Sequence, residues 1–87
     1  ADMTGYILDQ VMQDIEDKEY DKAFIALQNI APTGNPIAIF LLGNMYLNGL
    51  GTDKNYKYAH EMILYAAKEL PKKNIELTII KLILFLE

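Results

Sequence analysis

The chain has no cysteine, no serine and no arginine. Without cysteine there are no disulfide staples and no thiolate metal sites, and the single histidine, His60, has no second histidine to complete a ligand set. Missing serine as well removes the two commonest nucleophiles, so an enzyme is not expected and no cofactor is implied. Eight lysines, unaided by arginine, stand against twelve acidic residues, for a net charge of -4. A nucleic-acid binder needs a clustered cationic footprint, which this balance argues against. No apolar run reaches the ~18 residues needed to span a bilayer, and no cationic segment precedes an apolar one at the start. The chain therefore reads as soluble, with the cytoplasm favoured. It begins with Ala1, which suggests processing and leaves a periplasmic or secreted place open if a signal peptide was removed.

What is present divides the 87 residues into helices within one domain. A chain of this size buries roughly two-thirds of its unfolded surface, so each large apolar side chain counts. Ile7, Leu8, Val11, Met12 and Ile15 recur at helical spacing, predicting an N-terminal helix over 4–18 with Thr4 as its cap. Ala23, Phe24, Leu27, Ile30 and Ala31 repeat the period from residue 19 until Pro32 and the run Thr33, Gly34, Asn35, Pro36. Pro36 suits the first turn of a third helix capped by Asn35, ending near Asn48. A fourth starts near residues 53–55, carries Ala59, Met62, Ile63, Ala66, Ala67 and Leu70 on one face, and ends before Pro71. Short connections make consecutive helices antiparallel neighbours.

At an offset of 36 residues, Tyr20, Ala23 and Ala31 align with Tyr56, Ala59 and Ala67. Three identities with matching periodicity indicate a helical-hairpin repeat. Ala38, Leu42, Gly43, Tyr46, Gly49, Gly51, Ala59, Ala66 and Ala67 follow a pattern of alanine, leucine-glycine, tyrosine, two glycines one residue apart, alanine, and a terminal alanine pair. This pattern resembles the Sel-one-like repeats, relatives of the tetratricopeptide repeats. The match covers one full repeat, 36–70, and a half-repeat, 19–36. Thr52 stands where the family usually has valine, and Met62 and Ile63 replace its usual aromatic pair. The resemblance implies an all-α fold of antiparallel helical hairpins stacked as a short right-handed superhelix. In it, Gly49 and Gly51 turn the corner between helices and Gly43 lets two backbones approach. The rival reading of the glycines, a phosphate cradle, lacks the Gly-Lys-Ser/Thr that such a loop requires.

Two features bear on partners. With Ala38, Leu42 and Tyr46 on the core face of the third helix, Ile37, Phe40, Asn44 and Leu47 project along a neighbouring line. In the resembled family that line faces the concave surface, where peptides or partner domains are held; the alternative is packing within the array. Tyr58 and Tyr65, seven apart and off the core face of the fourth helix, pose the same choice. His60 and the carboxylates Asp14, Glu16, Asp17, Glu19 and Asp21 read as solvated surface. The stretch 75–87 is the most apolar, predicting a C-terminal helix over 72–87 that caps the last hairpin or, through residues 75–86, pairs with a second copy as a homodimer.

These observations predict a non-catalytic protein–protein interaction module, an adaptor or scaffold holding a protein or peptide. The alternative is a dedicated inhibitor or immunity-type protein whose acidic surface covers the basic rim of one toxin or enzyme. Adding zinc, magnesium or calcium is expected to leave the melting temperature unchanged, because a ligand of the folded state raises it by mass action. A rise that saturates with one ion per chain in calorimetry rejects this expectation.

Overall fold

The computed structural model describes residues 2–70 together with Ile80, Ile83 and Leu84. Four α-helices follow in order: α1 (Thr4–Glu16), α2 (Tyr20–Ile30), α3 (Pro36–Asn48) and α4 (Tyr56–Glu69), with a 3-10 turn at Ala31–Thr33 between α2 and α3. Among the described residues there is no strand, and no helix is long and apolar enough to cross a membrane. The expected helix over 72–87 lies outside the described residues, except that Ile80, Ile83 and Leu84 have helical backbone.

Local chemistry sets the helix ends. Thr4 is the first residue of α1 and not its cap, contrary to the expectation from its side chain. The Asp2 carboxylate takes the role, accepting from the Thr4 hydroxyl at 2.6 Å and from its backbone N–H at 2.9 Å. Those two bonds hold the exposed Asp2 carboxyl below its ordinary range, the hydroxyl contributing most. The stabilisation exists above the ordinary carboxylate range and disappears as pH falls through the lowered value. Asn35 caps α3 as expected, its Oδ1 accepting from the N–H groups of Ile37 and Ala38, both at 3.0 Å. Asn55 does the same for α4 through the Tyr58 N–H at 3.1 Å.

α1, α2 and α3 bury most of the line their periodicity marks, with Ile7 left 36 % exposed, whereas Ala67 on the expected core face of α4 is exposed. Leu8, Val11 and Ile15 of α1 join Ala23, Leu27 and Ile30 of α2, and Ala38, Leu41, Leu42 and Met45 of α3 complete one continuous core. α4 packs chiefly on α3, burying only Ala59 and Ala66 along its length. That contact is close because Gly43 has no side chain: a Cβ there would stand 3.0 Å from Ile63 Cγ1 and 3.1 Å from Met62 Cβ.

The connections use left-handed residues to reverse the chain. α3 ends on Gly49 (φ 67°), and the Leu50 N–H returns to the Met45 carbonyl at 2.9 Å. The loop closes where the Asn55 N–H reaches the Tyr46 carbonyl at 2.9 Å. Within it Gly51 (φ 70°) lies so near α2 that a Cβ would meet the Tyr20 carbonyl oxygen at 2.7 Å. The first hairpin makes a similar reversal without glycine: Lys18 takes φ 62°, and the Glu19 N–H reaches the Asp14 carbonyl at 2.7 Å.

These two left-handed sites predict substitutions of opposite sign. Lys18→Gly removes a Cβ from a conformation that costs L-residues on the order of 1 kcal/mol, raising the melting temperature by about 4–8 °C in a domain of this size. Gly51→Ala adds that same cost and a backbone clash, losing roughly 2 to 5 kcal/mol in all. Thermal denaturation of both variants checks the pair; equal and small shifts reject the assignment.

Candidate protein interface

The partner-facing residues expected from the sequence separate onto different sides of the second hairpin. Ile37 and Phe40 are half-buried against the core. Asn44 is half-buried too, and its Nδ2 donates to the Phe40 carbonyl at 3.1 Å, spending its amide on its own helix. Leu47 is 39 % exposed and lies beside α4. The line of four is thus not one continuous open stripe.

Tyr58 and Tyr65 are brought together on one flank of α4. Phe24 of α2 meets Tyr46 of α3 edge-on, ring centroids 5.5 Å apart and planes at 83°. Tyr46 in turn meets Tyr58 of α4 at 5.5 Å and 77°. This aromatic ladder ties three helices together while leaving Tyr58 47 % exposed. Two helical turns on, about 10.5 Å along the axis, Tyr65 is 42 % exposed and its hydroxyl stands 3.6 Å from where a Cβ on Gly34 would be. The two rings therefore overlook the side of the hairpin that faces α2 and its junction with α3. Their tips are polar and their bodies apolar, the character favoured at protein contacts.

The opposite flank of α4 holds a feature that the sequence reading missed. Leu47, Tyr56, Ala59, His60, Ile63 and Leu64 line an open groove of about 380 Å3. Apart from the His60 imidazole and the Tyr56 hydroxyl its walls are apolar. The signal was present in the spacing, since 56, 60, 63 and 64 fall on adjacent turns of one helix face. It was masked because the repeat pattern assigns Ala59 and Ala66 to the core and draws attention away from their neighbours.

The pattern residues are placed as follows. Ala38, Leu42, Gly43, Ala59 and Ala66 are buried, Tyr46 is half-buried in the aromatic ladder, Gly49 and Gly51 are left-handed, and Ala67 is exposed. Among the described residues no three of His, Asp and Glu gather to metal-binding distance. Comparison with family models, curated proteins and solved structures finds no match.

Because Tyr58 both packs and protrudes while Tyr65 mainly protrudes, their truncations should differ. Tyr58→Ala loses the edge contact with Tyr46, about 0.5 to 1.5 kcal/mol beyond the area lost, and lowers the denaturation midpoint. Tyr65→Ala should stay within about 0.5 kcal/mol of the parent, as expected of a surface position. Chemical denaturation of the two variants measures both; a larger loss from Tyr65→Ala would make it a structural residue.

Proposed function

We propose that the chain is a non-catalytic protein-binding module of the Sel-one-like kind. In this reading its two hairpins stack as a short right-handed superhelix, and the surface carrying Tyr58 and Tyr65 receives a segment of a protein or peptide partner. The observation that carries the proposal is the pair of half-exposed tyrosines on one flank of α4. Tyr58 is held by the ladder through Tyr46 to Phe24, and Tyr65 stands over Gly34. A ring held as Tyr58 is loses little conformational freedom on binding, and tyrosine recurs among the residues that dominate interfaces.

A second reading, an inhibitor or immunity-type protein for one basic target, draws on the turn between α1 and α2. Glu16, Asp17, Glu19 and Asp21 are all exposed there. An acidic turn of this kind would accelerate encounter with a basic rim and make association salt-dependent.

Peptide display against the full chain tests the first reading. Selected peptides are expected to lose at least about tenfold in affinity on Tyr65→Ala, since an interface residue of this type contributes on the order of 2 kcal/mol. Binding indifferent to Tyr65→Ala but abolished by Glu16→Lys with Asp17→Lys would favour the second reading. Indifference to all three changes would reject both surfaces.

A further inference from the structure

Six asparagines stand in the chain, and only Asn48 is followed by glycine. The others precede isoleucine, proline, methionine or tyrosine, whose side chains or ring crowd the next backbone nitrogen. Gly49 has no Cβ beside its nitrogen and can turn through conformations closed to other residues. Asn48 is the last residue of α3 and is exposed, so water reaches it.

We propose that Asn48 is a site of spontaneous deamidation, governed by the opening of the last turn of α3. The reaction needs only water. The Gly49 backbone nitrogen attacks Asn48 Cγ and an N–C bond forms; the Cγ–Nδ2 bond breaks, and ammonia leaves with the proton of the Gly49 nitrogen. The cyclic imide then takes up one water. Opening at Cγ gives an aspartyl residue, and opening at the backbone carbonyl carbon gives an isoaspartyl one, in which the main chain runs on through the side chain.

The folded chain withholds both reacting groups. The Gly49 N–H donates to the Met45 carbonyl, and the Asn48 Nδ2 donates to the Asn44 carbonyl at 3.0 Å. In a helix the Cα–Cβ bond also tilts toward the N-terminus, away from the nitrogen that follows. The groups meet when this turn frays, and helix ends open at the least cost. Bonds from the Leu50 N–H to Met45 and from the Asn55 N–H to Tyr46 resist that fraying.

The product does not fit the same turn. Its carboxylate has lost the N–H that met Asn44, and it lies at a helix C-terminus, where negative charge is disfavoured. The isoaspartyl link adds one backbone carbon, about 1.5 Å of chain, shortly before Gly51. That position has no slack, since a Cβ on Gly51 would lie 2.7 Å from the Tyr20 carbonyl oxygen. Deamidation therefore loosens the contact between the two hairpins.

The full chain is warmed at mildly alkaline pH, folded and in guanidinium chloride, and mapped by peptide mass spectrometry with isoaspartyl methyltransferase labelling. Conversion is expected to concentrate at Asn48 in both, at least about tenfold slower in the folded chain, because a hydrogen-bonded helix end is open only part of the time. Gly51→Ala unseats the loop and leaves the reacting groups intact. It should react faster than the parent when folded and at the same rate when denatured. The purified isoaspartyl form should melt below both the parent and Asn48→Asp, which carries the charge without the extra carbon. Conversion spread evenly over the asparagines, equal rates in the folded and denatured chain, or a folded chain that stays intact even with Gly51→Ala overturns the site or its control by the helix end. An isoaspartyl form that melts together with Asn48→Asp overturns the effect on the hairpin contact. Should Gly51→Ala fail to fold, the parent decides alone, and a folded parent that stays intact counts against the proposal. The chemistry does not depend on what Tyr58 and Tyr65 bind, so a failure here leaves the protein-binding reading standing.

Discussion

The contact between Gly51 and the Tyr20 carbonyl is the constraint from which the arrangement of the two hairpins follows. A hydrogen is the only substituent that fits there, since a Cβ would lie 2.7 Å from the carbonyl oxygen. Seating the loop after α3 on the first turn of α2 fixes how the second hairpin lies on the first. Phe24, one turn further along α2, then reaches Tyr46, and Tyr46 reaches Tyr58. A backbone contact at one end of the domain thereby sets the orientation of an exposed ring on its last described full helix. The left-handed conformation at Gly51 is found at the same contact, and glycine adopts it without the steric cost that a Cβ would bring.

The character of α4 follows from the small size of what it buries. α4 buries only Ala59 and Ala66 and lays Met62, Ile63 and the Ala59 carbonyl against Gly43, so the two helices approach closely there. Several large residues of α4 are left to either side of that narrow seam. Tyr58 and Tyr65 emerge on one flank; Tyr56, Ile63 and Leu64 wall the groove on the other. A helix that buried leucines would have stood further off and covered more of its own apolar surface. This one exchanges self-coverage for two open flanks, and in a domain without disulfides the stability of such a helix rests on close backbone packing more than on buried area.

The first hairpin solves a similar geometric problem with poorer chemistry. Lys18 adopts the left-handed turn that glycine adopts after α3, and the reversal is completed by backbone bonds from Lys18 to Ile15 and from Glu19 to Asp14. The core beneath compensates, since Val11, Ile15, Ala23 and Leu27 are all at most 5 % exposed. Strain in a turn persists where the packing on both sides over-determines it.

The sequence by itself determined the helices and most of their ends. Pro36 with Asn35, the stop at Asn48 before Gly49, the start of α4 near residues 53–55 and most of the buried lines of α1 to α3 were legible, because each depends on groups within one or two turns of chain. Thr4 was misread because Asp2, two residues earlier, offers a carboxylate that accepts both the Thr4 N–H and the Thr4 hydroxyl, which leaves Thr4 inside the first turn of the helix. The Sel-one-like resemblance placed the close approach at Gly43 without giving its partners. Only the tertiary structure decided which apolar residues remain open. Ile37 and Phe40 were half-covered, Leu47 was turned into a groove beside His60, and Tyr58 was enlisted as the last ring of a ladder. Periodicity assigns a residue to a helix face, but whether that face is covered depends on how near the next helix comes. That distance was set by the missing side chains of Gly43 and Gly51 and by alanines in the seam, acting between segments far apart in the chain.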